Sequence, residues 1–335
     1  MTEETHEFPE CFRENGANAV REMLTGLDDE SWAGFLDRGR TATDSMFGKR
    51  LKVYVPGKKF PAMSVTGSAC DLGCKHCNKQ YLHGMVPVDT PEKLESALRD
   101  LGASGGTGAL ISGGSTNEGI VEMSRFQDVL GLIKTEMNLA LNIHTGLIDA
   151  AAATRLHETG IDTISLDLVG DDETIQEIYG LHKTVDDYKR VLVALMNAGF
   201  TNEQIIPHIC IGLNKGDIIG EYNVLDYINV LDPKLIVFIV IIPPSISTDL
   251  DSTGFKLVLP VEVSRVVLTA RILFPRAEIS LGCMRPGGRI RQEYDLAAFN
   301  AGITRIALPT QQLLKTARDR GYQIDRIDSC CAIGL

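Results

Sequence analysis

The chain has 335 residues, 44% hydrophobic and 23% charged, the balance of a globular protein with room for two ordinary domains or one large α/β barrel. A formal net charge of −11 argues against the broad basic face that a nucleic-acid or anionic-membrane partner asks for. The amino terminus, MTEETHEFPE, lacks the charged-then-apolar order of a secretion signal, and the longest apolar run, 235–242, is far too short to span a bilayer, so a cytoplasmic chain with no membrane partner is expected.

Taken in chain order, residues 1–59 read as a helical extension before the main domain. It ends in the basic stretch KRLKVYVPGKK (49–59), read as a solvated approach to the first strand. FPAMSVTG (60–67) is that strand, apolar and closed by glycine. TPEKLESALRDLGASGG (90–106) opens on Thr-Pro and stops at glycine, as a helix does. GALISGG (108–114) is a second strand, and SRFQDVLGLIKTEM (124–137) a helix with Ser124 as its cap. The alternation continues through strands at 139–146, 162–170, 205–213, 234–244, 277–284 and 303–309, with helices at 149–160, 184–199, 221–232, 261–274, 292–302 and 310–321. Eight strand–helix units over 60–321 predict an α/β fold, a (βα)8 TIM-type barrel, followed by a short cysteine-containing tail, 322–335.

In such a barrel chemistry sits on the loops after the carboxyl ends of the strands. The loop after strand one holds Cys70, Cys74 and Cys77, spaced C-x3-C-x2-C, with Gly73 inside the run. Cys210 falls near the end of strand five, Cys283 near the end of strand seven, and Cys330–Cys331 in the tail, which is long enough to cross back to that face. Eight cysteines without an export signal suggest metal ligands or reactive thiols rather than disulfides. A structural zinc site would take four protein ligands, and His76 and His83 are the nearby candidates for a fourth. Three thiolates instead suit a cubane [4Fe–4S] cluster, held by three irons with the fourth left open.

That spacing on the first loop of such a barrel resembles the radical S-adenosylmethionine (SAM) superfamily. The resemblance implies that the open iron chelates the amino and carboxylate groups of SAM, and that an electron, from a ferredoxin- or flavodoxin-type donor, cleaves the sulfonium to give a 5′-deoxyadenosyl radical. Other positions carry the likeness residue by residue. Gly113 and Gly114, in ISGGST, resemble the family's Gly-Gly-Glu segment, whose backbone receives the SAM amino group; Ser115 stands where Glu is usual. His76 fills the usually aromatic place before the third cysteine, its backbone near adenine. Asp167, in SLDLVGD, looks like the biotin synthase aspartate that holds the SAM ribose, and 212–221 is similar to the glycine-rich segment after strand five.

The eightfold barrel points to the biotin synthase and lipoyl synthase branch. Biotin synthase keeps a second iron–sulfur cluster as sulfur donor; Cys210 and Cys283 fall where two of its ligands stand, while strands two and three here offer Ser112 and His144 instead of cysteines. With Cys330 and Cys331 the chain looks most like the two-protein, archaeal-type lipoyl synthase. This implies an auxiliary [4Fe–4S] cluster on Cys210, Cys283, Cys330 and Cys331, a sulfide of that cluster, held by Cys283 and its partners, being the sulfur that is transferred. It also implies an octanoylated carrier protein or peptide as substrate and a sister radical SAM protein as partner. The alternative is a biotin synthase-like radical enzyme without sulfur insertion, catalysing a rearrangement or a metallocofactor maturation. A third reading, a non-catalytic iron–sulfur scaffold, leaves Gly113, Gly114 and Asp167 without a task.

Overall fold

The structure, a computed structural model, describes residues 8, 10–244 and 254–334. Its helices are α1 (Glu10–Glu14), α2 (Gly16–Thr25), α3 (Asp29–Phe47), α4 (Pro91–Ala103), α5 (Gln127–Glu136), α6 (Ala150–Glu158), α7 (Asp172–Thr174), α8 (Val185–Asn197), α9 (Glu221–Tyr227), α10 (Pro260–Leu273), α11 (Arg289–Asn300) and α12 (Gln311–Asp319). The strands are β1 (Arg50–Tyr54), β2 (Ala62–Ser64), β3 (Val86–Pro87), β4 (Gly108–Ser112), β5 (Ala140–His144), β6 (Thr163–Leu168), β7 (Ile205–Ile211), β8 (Leu235–Val240), β9 (Glu278–Leu281), β10 (Arg305–Ala307) and β11 (Gln323–Ile327). All eight expected strands are present, and each is followed by its expected helix. The architecture is the α/β one that the sequence rhythm predicts, consistent with a TIM-type fold.

The chain divides into two compact units, one of residues 1–54 with 209–327 and the other of 55–208 with 328–335. In the first, the strand order is β8-β9-β10-β1-β11. Here β1 pairs in parallel with both β10 and β11, Val53 standing opposite Ile306 on one side and Arg326 on the other. The basic stretch is therefore a strand rather than a solvated approach. Leu51, Val53 and Tyr54 are buried, and Lys52 is paired with Glu278 at 2.8 Å. The lysines around it hide an apolar alternation that the core uses. Arg271, fully buried on α10, donates to the carbonyls of Gly302, Pro275 and Ala277 and so closes the turns around β9 and β10.

The second unit carries the order β3-β2-β4-β5-β6, with the first four residues of β7. From β3 through β6 these strands pair in parallel, with Asn142 opposite Thr163 and His144 opposite Ser165. The helices start where their caps predict. Thr90 accepts from the Lys93 amide with Pro91 in the first turn, Asp149 caps α6, and Thr184 with Asp187 forms a capping box on α8. Ser124 does not cap α5: it opens a short 3-10 turn, its hydroxyl bonds Glu122, and α5 begins after Phe126. A tight 3-10 turn satisfies the first amides there, which leaves the serine no capping task. After β11 the chain enters the second unit, where Thr107 donates to the Asp328 carbonyl at 3.0 Å and Asn142 Nδ2 lies 3.8 Å from Cys330 Sγ. Among the described residues no helix is long and apolar enough to cross a membrane.

Candidate active site

The loop after β2 is wound by its own backbone. Cys77 and Asn78 donate amides to the Cys74 carbonyl, and Asn78 and Lys79 both take left-handed backbone, with φ of 44° and 62°. Past that bend the amides of Tyr81, Lys79 and Gln80 act electrostatically on the Cys77 sulfur, the Gln80 amide also donating to the Cys77 carbonyl at 3.0 Å. Successive N–H groups converging on one atom form an anion nest. Burial raises the Cys77 thiol, and these three amides pull against it. Burial, followed by the charges of Cys77 and Cys70, pushes the Cys74 thiol up to about 12. Thiols held above their ordinary range, as Cys74 and Cys77 are, become compatible as thiolates around a positive inorganic core.

The β4 loop fits closely against this turn. Thr66 Oγ1 accepts from the Gly114 amide at 2.7 Å and donates to the Ala69 carbonyl at 2.8 Å. Asp71 N–H donates to the Ser115 carbonyl at 2.8 Å, and Ser115 N–H lies 3.3 Å from Cys70 Sγ. A Cβ on Gly114 would stand 2.0 Å from the Ala69 oxygen, so only glycine permits this approach. On its other side the cysteine loop is tied to the segment after β6. Lys75 N–H donates to Ile178 at 2.8 Å, Cys74 Sγ lies 3.9 Å from the Tyr179 carbonyl, and the His76 ring packs edge-on against Tyr179 at 5.1 Å.

Asp167 ends β6 close to these groups. Its side chain is 55% accessible, yet it is ringed by His76, His144, His208 and Tyr188, the setting of a carboxylate on a cavity wall. Burial opposes its ionisation. The His144 hydrogen bond and the neighbouring imidazoles outweigh that and hold the carboxyl below the ordinary range. Burial also pushes the Tyr188 phenol up, reinforced by Asp167 and Cys74. His76 is held down to about 4 by burial, and its Nδ1 is buried with no hydrogen-bond partner among the described residues. A buried nitrogen without a partner is costly unless a ligand completes it.

Cys70, Cys74, Cys77, Gly113 and Gly114 thus share one neighbourhood, with His76 and Asp167 electrostatically coupled to it. Among the described residues no three of His, Cys, Asp and Glu group around a position for one metal ion. Thiolates on a single tetrahedral ion would lie roughly 3.8 Å apart; a cubane spaces them more widely, each on its own iron. The donor chemistry, the amide nest and the glycine ledge fit an iron–sulfur cluster better than zinc. Cys210, half-buried on β7, and Cys283, exposed after β9, belong to the first unit; Cys330 and the buried Cys331 belong to the second. The sequence reading does not single out Thr66, Asn78, Lys79, Tyr179 or Tyr188. Thr66 has the residue type of an ordinary turn former, and its partners come from a strand 48 residues away.

Residues 64–223 match the family model described as the Radical SAM superfamily. Among curated proteins the chain is similar to biotin synthase of Prochlorococcus marinus (strain NATL2A), 27% identical over 269 residues, covering 76% of this chain and 73% of that one. It is also similar to biotin synthase of Nostoc punctiforme, 23% identical over 258 residues, covering 73% and 72%. Two solved structures share the fold. The FeFe-hydrogenase maturase HydG from Carboxydothermus hydrogenoformans has a TM-score of 0.65 at 15% identity, covering 94% of this chain and 81% of that one. Methylornithine synthase (PylB) has a TM-score of 0.63 at 18% identity, covering 92% and 94%. Over residues 64–223 the chain is thus similar to the radical SAM superfamily, with biotin synthases among its relatives at low identity.

Proposed function

We propose that the chain generates a 5′-deoxyadenosyl radical at a [4Fe–4S] cluster held by Cys70, Cys74 and Cys77, and uses it to insert sulfur into a protein-bound octanoyl chain. Bound there, the cluster and SAM supply, on reduction, a radical that removes hydrogen from an unactivated carbon. The chain's own groups then have defined tasks. The Cys77 nest stabilises anionic sulfur, and the backbone of Gly113 and Gly114 receives the SAM amino group. Asp167 accepts from the ribose hydroxyls, and the backbone at His76 lies along adenine. The observation that carries the first half is the Gly114 turn seated on Cys70, which brings the SAM-contact segment onto the first cluster thiol.

The second half draws its support from the biotin synthase relatives and from the thiols outside the first loop, with Cys283 exposed at a strand end. Sulfur would come from an auxiliary cluster with Cys283 among its ligands. An octanoylated carrier protein, a sister radical SAM protein and a ferredoxin- or flavodoxin-type donor complete the proposal. One observation favours the second reading, a radical enzyme without sulfur insertion. In the second unit the partly accessible His144 faces the accessible Asp167 at 3.4 Å, with the buried Asn142, Thr163 and Ser165 bonded to one another, a polar wall suited to a substrate with hydrogen-bonding groups.

The experiment is anaerobic reconstitution of the wild type and of a Cys70/Cys74/Cys77→Ala variant, with iron and sulfide counted on both. If the variant keeps about four irons, the content of one cubane, and the wild type adds sulfur to an octanoyl peptide, sulfur insertion stands. A variant empty of iron leaves the chain without a sulfur source and turns the assignment to the second reading.

A further inference from the structure

Two histidines of the polar wall have no task in the reaction proposed above. His208, on β7, is 9% exposed, and its Nδ1 lies 3.0 Å from the Ile206 carbonyl on its own strand. A carbonyl oxygen can only accept, so Nδ1 carries the proton. Burial, followed by the neighbouring His144, holds this imidazole down to about 4, so the ring is neutral with one tautomer. It packs against His144 with ring centroids 5.5 Å apart and planes inclined at 62°. His144, 22% exposed on β5, points its own Nδ1 at Asp167 Oδ2, 3.4 Å away. The line from backbone to carboxylate is thus Ile206, His208, His144, Asp167, all within the second unit.

Asp167 needs such support. A strand-end carboxylate that is more than half accessible has several side-chain rotamers, and each one frozen on binding costs affinity. A ligand presenting two vicinal hydroxyls asks for one carboxylate orientation. His144 takes Oδ2, which leaves the other oxygen for a ligand hydroxyl. We propose that His144, steadied by His208, is a positioning residue that fixes the Asp167 carboxylate for the vicinal hydroxyls of the SAM ribose. This rests on the ribose role of Asp167 in the proposed function, and the test separates the two.

The first readout needs no cofactor: imidazole nitrogen-15 shifts of His144 and His208 in the protein without SAM. Both rings should carry the proton on Nδ1, and His144→Phe should leave the His208 signal in place. The second is the dissociation constant of the reconstituted protein for SAM and for its 2′-deoxyribose analogue. His144→Phe, which keeps a ring against His208, should weaken SAM about tenfold, the worth of one hydrogen bond to a charged group. His144→Asn, whose amide can replace the Nδ1 donor, should restore most of it. SAM cleavage at saturation should change less than affinity, and the loss should shrink for the analogue and in an Asp167→Asn background. Equal weakening toward SAM and analogue overturns the proposal, as does a fall in the saturated rate with affinity intact, which would put His144 on the substrate instead. Unchanged SAM affinity in Asp167→Asn alone removes the ribose role of Asp167, and the proposal with it.

Discussion

A methyl group at position 114 would meet not only the Ala69 oxygen but also Cys70 Cβ, at 2.5 Å. Both neighbours belong to a turn held by Thr66, so neither can give way without moving Cys70. We expect Gly114→Ala to cost about 1–3 kcal/mol of stability, as overpacking of a tight contact does, and to lower reconstituted iron content and SAM cleavage together. Gly84→Ala is the control, because no atom lies within 4 Å of its added carbon. Iron content and urea midpoints of the two variants decide the matter; equal behaviour would mean that the ledge is unimportant.

At the scale of elements, two loops make opposite demands on buried charge. After β7 the chain turns back so that Glu221, at the start of α9, accepts from the Gly212 amide at 2.7 Å while its other oxygen is buried without a partner among the described residues. Burial raises this carboxyl to about 7, against the pull of the Gly212 amide. Because the folded state holds the proton more tightly, Glu221's contribution to stability is full below about 4.5 and is lost as pH rises toward about 7. His208 has the reverse sign: depressed by burial, it favours the fold above 6.5, and this is lost as pH falls toward about 4. Glu221→Gln should therefore gain stability over the wild type between pH 5 and pH 8, read from urea unfolding at both values. A constant difference across that range would refute the assignment. After β9, Arg285 and Asp295 form an ion pair in which both side chains are 0% exposed. Arg285 also donates to the carbonyls of Gly282, Ala307 and Leu308, and Asp295 accepts from Thr310 N–H. The pair clamps the loop that carries Cys283. Arg285→Met should cost about 3–5 kcal/mol by leaving a buried carboxylate unpaired, and Arg285→Met/Asp295→Leu much less. Equal losses in the single and double variants would show that the cost comes from packing alone.

At the scale of the whole molecule, the alternation of β-branched runs with capped amphipathic helices made the eight strand–helix units legible, because each signal is local. β1 and β11 were not: five-residue strands rich in Lys, Arg and Asp look like surface until each finds its neighbour. The cysteine spacing made the loop chemistry legible for the same local reason. Its supports were not: Thr66, just before Cys70, bonds a loop 48 residues on, Tyr179 meets Cys74 from 105 residues on, Tyr188 follows from farther still, and no spacing rule announces them. The central claim is that Cys70, Cys74 and Cys77 hold the cluster that cleaves SAM. The most direct test reduces the reconstituted wild type and the triple alanine variant with SAM under anaerobic conditions and measures 5′-deoxyadenosine. The wild type should yield the nucleoside and the variant none above background. Equal yields from both would place the radical chemistry elsewhere in the chain and contradict that claim.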